Sequence, residues 1–343
     1  MRSASRLPAV YQRWARLIAA VGILVALVAY AWRPLANQWA LRQARQAYSE
    51  RDFGRASQWV SEALRRDPRD PQALLLAARV YRRAGRIADA ESAINNARQC
   101  GADPQAADRE QLLCRAQIGD MRRAEPALPE LLRDSGSDGD DICAAYVAGY
   151  FRTLRMAEAH RLLDAWERDY PLDPEPRFMR GFAWEAVARF EQAERAYTEG
   201  LRIAPTRSEM RLRRAETLRE LRRWDEAREE YARVRERQPR NDVAAIGLAH
   251  CLFAAGELTA ARRIVDEVLR DSAKAEARAL AGELALAAGE FAAAETHLQA
   301  AFAARPRDTA VRYSLAKCLT ALGKPGEAQP HFDFIAAARQ PLD

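Results

Sequence analysis

An aromatic residue followed three positions later by alanine recurs along this chain: Phe53 and Ala56, Phe190 and Ala193, Trp224 and Ala227, Phe291 and Ala294. A proline closes each block twelve residues after the alanine, at Pro68, Pro205, Pro239 and Pro306. From Phe190 to Trp224, and again from Pro205 to Pro239, the interval is 34 residues. A period of that length marks one small supersecondary unit, which buries its apolar face only by stacking on the next. With the proline set as the 32nd position, the units are 37–70, 71–104, 105–138, 140–173, 174–207, 208–241, 242–274, 275–308 and 309–342. Gly85, Gly119, Gly256, Gly289 and Gly323 fall at the fifteenth position, where a first helix has to end in a left-handed residue. Proline near position 32 then stops a second helix. Each unit therefore reads as helix-turn-helix.

Two stretches depart from this pattern. The third unit lacks the terminal proline and carries Pro126 and Pro129 inside its expected second helix, which predicts a shortened or kinked helix. The polar run Asp134 to Asp141 follows, and 119–141 reads as the weak joint of the array. Ahead of the repeats, residues 17–32 carry no charge. As a helix they extend about 24 Å against a hydrocarbon core of about 30 Å, and Trp14, Tyr30 and Trp32 stand where an interfacial belt belongs. Arg2, Arg6, Arg13 and Arg16 precede the run with no acid among them, which keeps that end in the cytoplasm. The expected layout is a basic tail 1–16, a transmembrane anchor 17–32, three units over 37–138 and six over 139–343. The repeats would then lie on the outer, periplasmic side of an inner membrane. The alternative is a cleaved signal peptide and a secreted or periplasmic protein, because Ala29-Tyr30-Ala31 fits the small-x-small rule. The bulky Trp32-Arg33-Pro34 after it argues for the anchor.

The small residues have a fixed register. They stand at the eighth, 20th and 27th positions: Ala44, Ala56 and Ala63 in the first unit, Gly181, Ala193 and Gly200 in the fifth, Gly282, Ala294 and Ala301 in the eighth. In this the chain resembles the tetratricopeptide repeat family. The resemblance covers about nine tenths of the chain and implies an all-α solenoid of about nine helix-turn-helix repeats, preceded here by one N-terminal transmembrane helix. It also implies a noncovalent adaptor whose first helices line a concave groove for a protein or peptide. Carried residue by residue, the groove would show Arg45, Arg79, Arg82, Arg83 and Arg109 early, and Phe151, Phe178, Phe182, His250 and Phe253 in the middle. The first set predicts an electropositive lip for an acidic segment, the phenylalanines apolar anchors. For the arginines the alternative is a solvated face, and for Phe178 and Phe182 it is packing. The family's carboxylate-clamp positions hold Leu41 with Arg45 and Leu75 with Arg79, which does not support recognition of a chaperone's C-terminal carboxylate.

Composition narrows the function classes. The formal charge is +6, and all but three of the 54 basic residues are arginine. That skew could serve a polyanion or nucleic-acid binder, but 48 acids are interspersed and no long basic block occurs, so no nucleic acid is expected. Catalytic motifs are absent, and the four histidines lie in four different units. Pairs such as Glu226 and Glu230 read as solvated faces. The five cysteines, no two closer than 14 residues, contain no CxxC. They read as small apolar packing residues, with an oxidised pair open only outside the cytoplasm. Neither a cofactor nor a metal is implied. The leading expectation is a scaffold in assembly of an envelope complex; a non-catalytic targeting subunit of an enzyme complex is the further alternative. Phe332, Phe334 and Ile335 on an uncapped last helix would leave apolar surface, a route to self-association.

Overall fold

The structure, a computed structural model, describes residues 36–339. Among them there are helices and turns but no strand. Helix α1 covers 36–49. It is followed by α2 (Phe53–Arg66), α3 (Pro71–Arg83), α4 (Ile87–Gln99) and α5 (Pro104–Ile118). Next come α6 (Met121–Ala124), α7 (Leu128–Arg133), α8 (Gly139–Arg152), α9 (Met156–Asp169) and α10 (Glu175–Ala186). The chain continues with α11 (Phe190–Ile203), α12 (Ser208–Glu220), α13 (Trp224–Arg237), α14 (Asp242–Ala254) and α15 (Leu258–Asp271). It ends with α16 (Ala275–Ala287), α17 (Phe291–Ala304), α18 (Thr309–Ala321) and α19 (Pro325–Arg339). The predicted anchor 17–32 lies outside the described residues. Among those described, no helix is long and apolar enough to cross a membrane. The chain divides into two compact units between Leu162 and Leu163.

Local chemistry sets the helix ends. Asp70 and Asp103 each accept two backbone N–H bonds of the helix they precede, and Pro71 and Pro104 occupy the first helical turn, where no N–H is needed. Asp308 likewise accepts two at the start of α18, and Asn241 accepts one, from Ala244, at the start of α14. The turn inside each repeat is stricter than the glycines alone suggested. All nine fifteenth positions have positive φ: Arg51, Gly85, Gly119, Leu154, Ala188, Arg222, Gly256, Gly289 and Gly323. Four of them are not glycine, so tertiary packing imposes the left-handed turn on residues that resist it.

Packing explains the small-residue register. Position 20 is alanine in every unit, and Ala56, Ala90, Ala124, Ala159, Ala193, Ala227, Ala261, Ala294 and Ala328 are all buried. A methyl added at Gly181 would strike the Tyr197 ring, and one at Gly282 would strike Leu298, so at these eighth positions only glycine admits the neighbouring side chain. The third unit is broken as its prolines predict. Its second helix becomes α6, a 3-10 turn over Glu125–Ala127, and α7. Tyr146 donates to the Ala124 carbonyl at 2.6 Å, and Arg155 grips the Glu125 carboxylate at 2.6 and 2.8 Å. The broken helix is thereby pinned rather than loose.

The expected apolar surface on the last helix is not found among the described residues. Ile335 is buried, and Phe332 packs on the cluster that includes Leu315 and Leu319. Phe334 lies beneath the Arg312 guanidinium at 3.8 Å, while Gln329 and Asp333 are exposed and hydrogen-bonded to each other. The three apolar residues named on this helix are thus largely covered within the chain, while Gln329 and Asp333 give it a polar outer side.

A candidate partner groove and its arginines

The early groove residues stand on α1, α3 and α5. Arg45 is exposed, whereas Arg79 and Arg109 are half-buried; all three line a cleft of ≈ 770 Å³ in the first compact unit. Arg82 is 0% exposed and Arg83 nearly covered. The arginines are taken up by acids. Arg79 donates from Nε to Glu110 at 3.2 Å and, through both amino groups, to the two Asp138 oxygens at 3.2 and 3.1 Å. Arg82 Nε donates to the other Glu110 oxygen at 3.0 Å, and its Nη2 stands 3.8 Å from Asp141. Arg83 approaches Asp141 at 3.5 Å and stacks on Phe53 at 5.0 Å. Arg109 donates to the Ser135 carbonyl and lies 3.5 Å from Asp138. Tyr48 donates its hydroxyl to Asp141.

Burial alone would raise the Asp141 carboxyl, but the Arg82 and Arg83 charges and the Tyr48 hydroxyl outweigh it and hold it below the usual carboxylate range. Burial first, and then Asp141, pushes the Tyr48 hydroxyl well above its ordinary value. The expected electropositive lip is therefore corrected. Arg82 and Arg83 are structural counter-ions, and the cleft lining counts Arg45, Arg79 and Arg109 against Asp103, Asp108, Glu110, Glu130, Asp134 and Asp138. Leu75, Leu76, Leu112 and Leu131 supply its apolar surface. The acidic turn that reads as a weak joint is the piece that neutralises the arginines, so it is tied down.

In the second compact unit the predicted residues separate. Phe178 packs on the cluster of Ala193, Tyr197, Leu201 and Met210, with Arg207 stacked on it at 4.5 Å, so it belongs to the core. Phe182, one turn on, is 46% exposed with Arg213 over its ring at 5.4 Å. Phe253 packs against the cluster that includes Leu252 and Ile264. Phe151, in the first unit, is half-buried on α8. His250 lines a second cleft of ≈ 480 Å³ with Glu216, Arg219, Tyr231 and Lys274 among its other walls. Burial, and secondarily Arg219, pushes this imidazole down to about 4.

Sequence reasoning missed a second ion network. Glu230, expected on a solvated face, is 2% exposed and accepts from Arg211 at 2.6 Å and Arg214 at 3.1 Å. Arg214 also reaches Glu194 at 2.8 Å. The pairings span up to 20 residues between helices, and in a chain this rich in arginine nothing in the pattern singles out the partner. The five cysteines form no disulfide, and no metal-binding cluster occurs among the described residues.

Nine left-handed turns, nine buried alanines and paired helices with this spacing are what tetratricopeptide repeat models describe, and such models match residues 41–107, 186–245, 224–284 and 285–340. The chain belongs to the tetratricopeptide repeat family. The unmatched stretch between, 108–185, contains the broken helix of the third repeat. Among solved structures, the tetratricopeptide fold is shared with the Cut9–Hcn1 hetero-tetramer of the APC/C at 15% identity and a TM-score of 0.53, over 89% of this chain and 63% of that one. A tetratricopeptide repeat protein of Parabacteroides merdae is 15% identical over 83% of this chain and 99% of its own, with a TM-score of 0.42. Yeast Tom70 is 13% identical, with 89% and 86% covered and a TM-score of 0.45. These likenesses concern the fold alone. No curated protein matches the chain by sequence.

Proposed function

We propose that this tetratricopeptide repeat protein is a membrane-anchored, noncatalytic scaffold that holds a protein or peptide partner in its groove during assembly of an envelope complex. The anchor is the apolar segment 17–32, with the amino terminus cytoplasmic and the repeats on the outer face. One observation carries the binding reading: the ≈ 770 Å³ cleft combines half-buried leucines with a charged wall. Apolar anchors at the centre and polar groups at the rim are the anatomy of a recognition surface. Glu110 and Asp138 are taken up by the arginines and Asp108 by Arg98, but Glu130 and Asp134 are exposed on this wall with no ion pair among the described residues. That suits an amphipathic segment that brings basic side chains, not the acidic segment the sequence suggested. The polyanion reading loses its support, because Arg79, Arg82, Arg83 and Arg109 are already neutralised.

The test is site-specific photo-crosslinking of the full chain in its native membrane. A photoreactive residue at Leu131, in the cleft, should yield a defined adduct, and one at the exposed Asn96 on α4 should not. Adducts from Asn96 alone would move the interface off the groove.

A further inference from the structure

The first helix pair exposes a patch that neither the groove nor the core uses. Trp39 on α1 is 51% exposed, and its ring meets Trp59 of α2 edge-on with centroids 4.8 Å apart. Arg42, one turn further along α1, and Arg69, in the α2–α3 turn, are exposed and make no ion pair among the described residues. Asn37 donates to Asp70 at 3.1 Å and the Arg66 guanidinium reaches the Ala36 carbonyl, which brings residues 36 and 37 of α1 beside the α2–α3 turn that carries Arg69. The acids at this edge are engaged within it. Glu62 pairs with Arg65 and Arg66, Asp67 accepts the Arg69 backbone N–H, and Asp70 caps α3.

We infer that this edge of the first repeat rests in the headgroup layer of an anionic bilayer, with Trp39 inserted and Arg42 and Arg69 on lipid phosphates. The inference rests on the proposed anchor and adds to it a contact made by the folded array. Chain length supports it. Only residues 33–35 lie between the apolar segment and residue 36, the first described residue of α1, a reach of at most about 14 Å. The headgroup layer beyond the hydrocarbon is itself about 5–8 Å thick, so a tether of that reach holds the described part of α1 in or close to it. Indole rings with arginines are the side chains such a layer accommodates, the ring among the acyl carbonyls and the cation at the phosphate. Area argues against a protein occupant. One half-exposed indole offers on the order of 100 Å² of apolar surface, whereas a stable protein interface takes about 800 Å² from each partner.

The experiment uses the full chain with Trp14→Phe and Trp32→Phe, reconstituted into vesicles of phosphatidylcholine and phosphatidylglycerol. Tryptophan quenching by phosphatidylcholine brominated near the glycerol is then measured. The expected result is clear quenching that Trp39→Phe largely removes, and that Arg42→Glu or omission of phosphatidylglycerol reduces with every tryptophan of the array in place. Resistance to alkaline carbonate extraction reads the anchor separately. Protein released by carbonate sinks the anchor and this inference together. Protein retained, with quenching indifferent to Trp39→Phe, sinks the inference alone. A Trp39 shielded from aqueous iodide in vesicles but untouched by brominated lipid also overturns it, because the covering surface is then protein.

Discussion

Arginine, leucine and alanine at the fifteenth position carry a cost that glycine does not. Arg51, Leu154, Ala188 and Arg222 have φ between 55° and 59°, a region that costs an L-residue about 1–2 kcal/mol. Glycine returns part of that gain through the entropy of the unfolded chain, about 0.5–1 kcal/mol. Ala188→Gly and Arg222→Gly should therefore each stabilise the protein by about 0.5–1 kcal/mol in a denaturant titration, and Gly256→Ala should destabilise it by a similar amount. Ala227 gives the opposite test at a fully buried helix contact. It is fully buried on α13, and Ala227→Leu should cost about 1–3 kcal/mol by overpacking. Its neighbour Arg228 only pairs with Glu257 across the surface, so Arg228→Leu should cost under about 1 kcal/mol. Equal losses at the two sites would mean the register of α13 is misassigned. This level was the most legible in the sequence, because a close helix contact admits few residue types. Where a non-glycine residue fills the turn, as at Leu154, the residue itself carries no signal and only the spacing does.

Helices are joined here by charge as well as by apolar packing, and that layer was not legible. The residues of the Arg79–Glu110 and Arg79–Asp138 pairs lie 31 and 59 positions apart, and most helices carry arginines that look alike in sequence. The same cause misplaced Glu230. Asp141 is the most telling member, because the guanidinium groups of Arg79, Arg82 and Arg83 and the Tyr48 hydroxyl converge on it. Asp141→Asn leaves Arg82 buried without its second counter-ion and should cost about 3–5 kcal/mol. Because the folded carboxyl is held below the unfolded value of about 3.9, its contribution is complete above that pH and lost as pH falls through the folded value. The wild-type acid transition should therefore be steeper than that of the asparagine variant. His250 adds a separate window. Its folded value of about 4 lies below the unfolded value of about 6.5, so the unfolded chain binds the extra proton and stability falls as pH drops from about 6.5 toward 4. His250→Gln should flatten the stability profile over that window, and an unchanged slope would show that the ring is not held neutral.

The array as a whole is a surface with its chemistry distributed along one chain, and under the proposed anchoring its use depends on which side of the membrane it faces. The fold followed from period and small residues; the groove did not, because the resemblance assigns positions while the pairing of charges decides what they present. Phe182 illustrates the difference, since it is exposed whereas Phe178, one turn earlier on α10, is half-buried against the core. Phe178→Ala should cost about 3–5 kcal/mol in stability, as for other large core truncations, whereas Phe182→Ala should leave stability nearly unchanged and act only on a partner. Topology is the condition on all such binding. Four arginines before the apolar segment and none of the acids that would offset them fix the expected orientation, with the repeats outside. Protease added to spheroplasts should then digest the described repeats and leave a short amino-terminal fragment in the membrane pellet. A protected array would place the groove in the cytoplasm, and the partner would have to be sought among cytoplasmic proteins. A mature chain beginning at Trp32 would remove the anchor instead, and with it the short tether that holds the first repeat against the lipid.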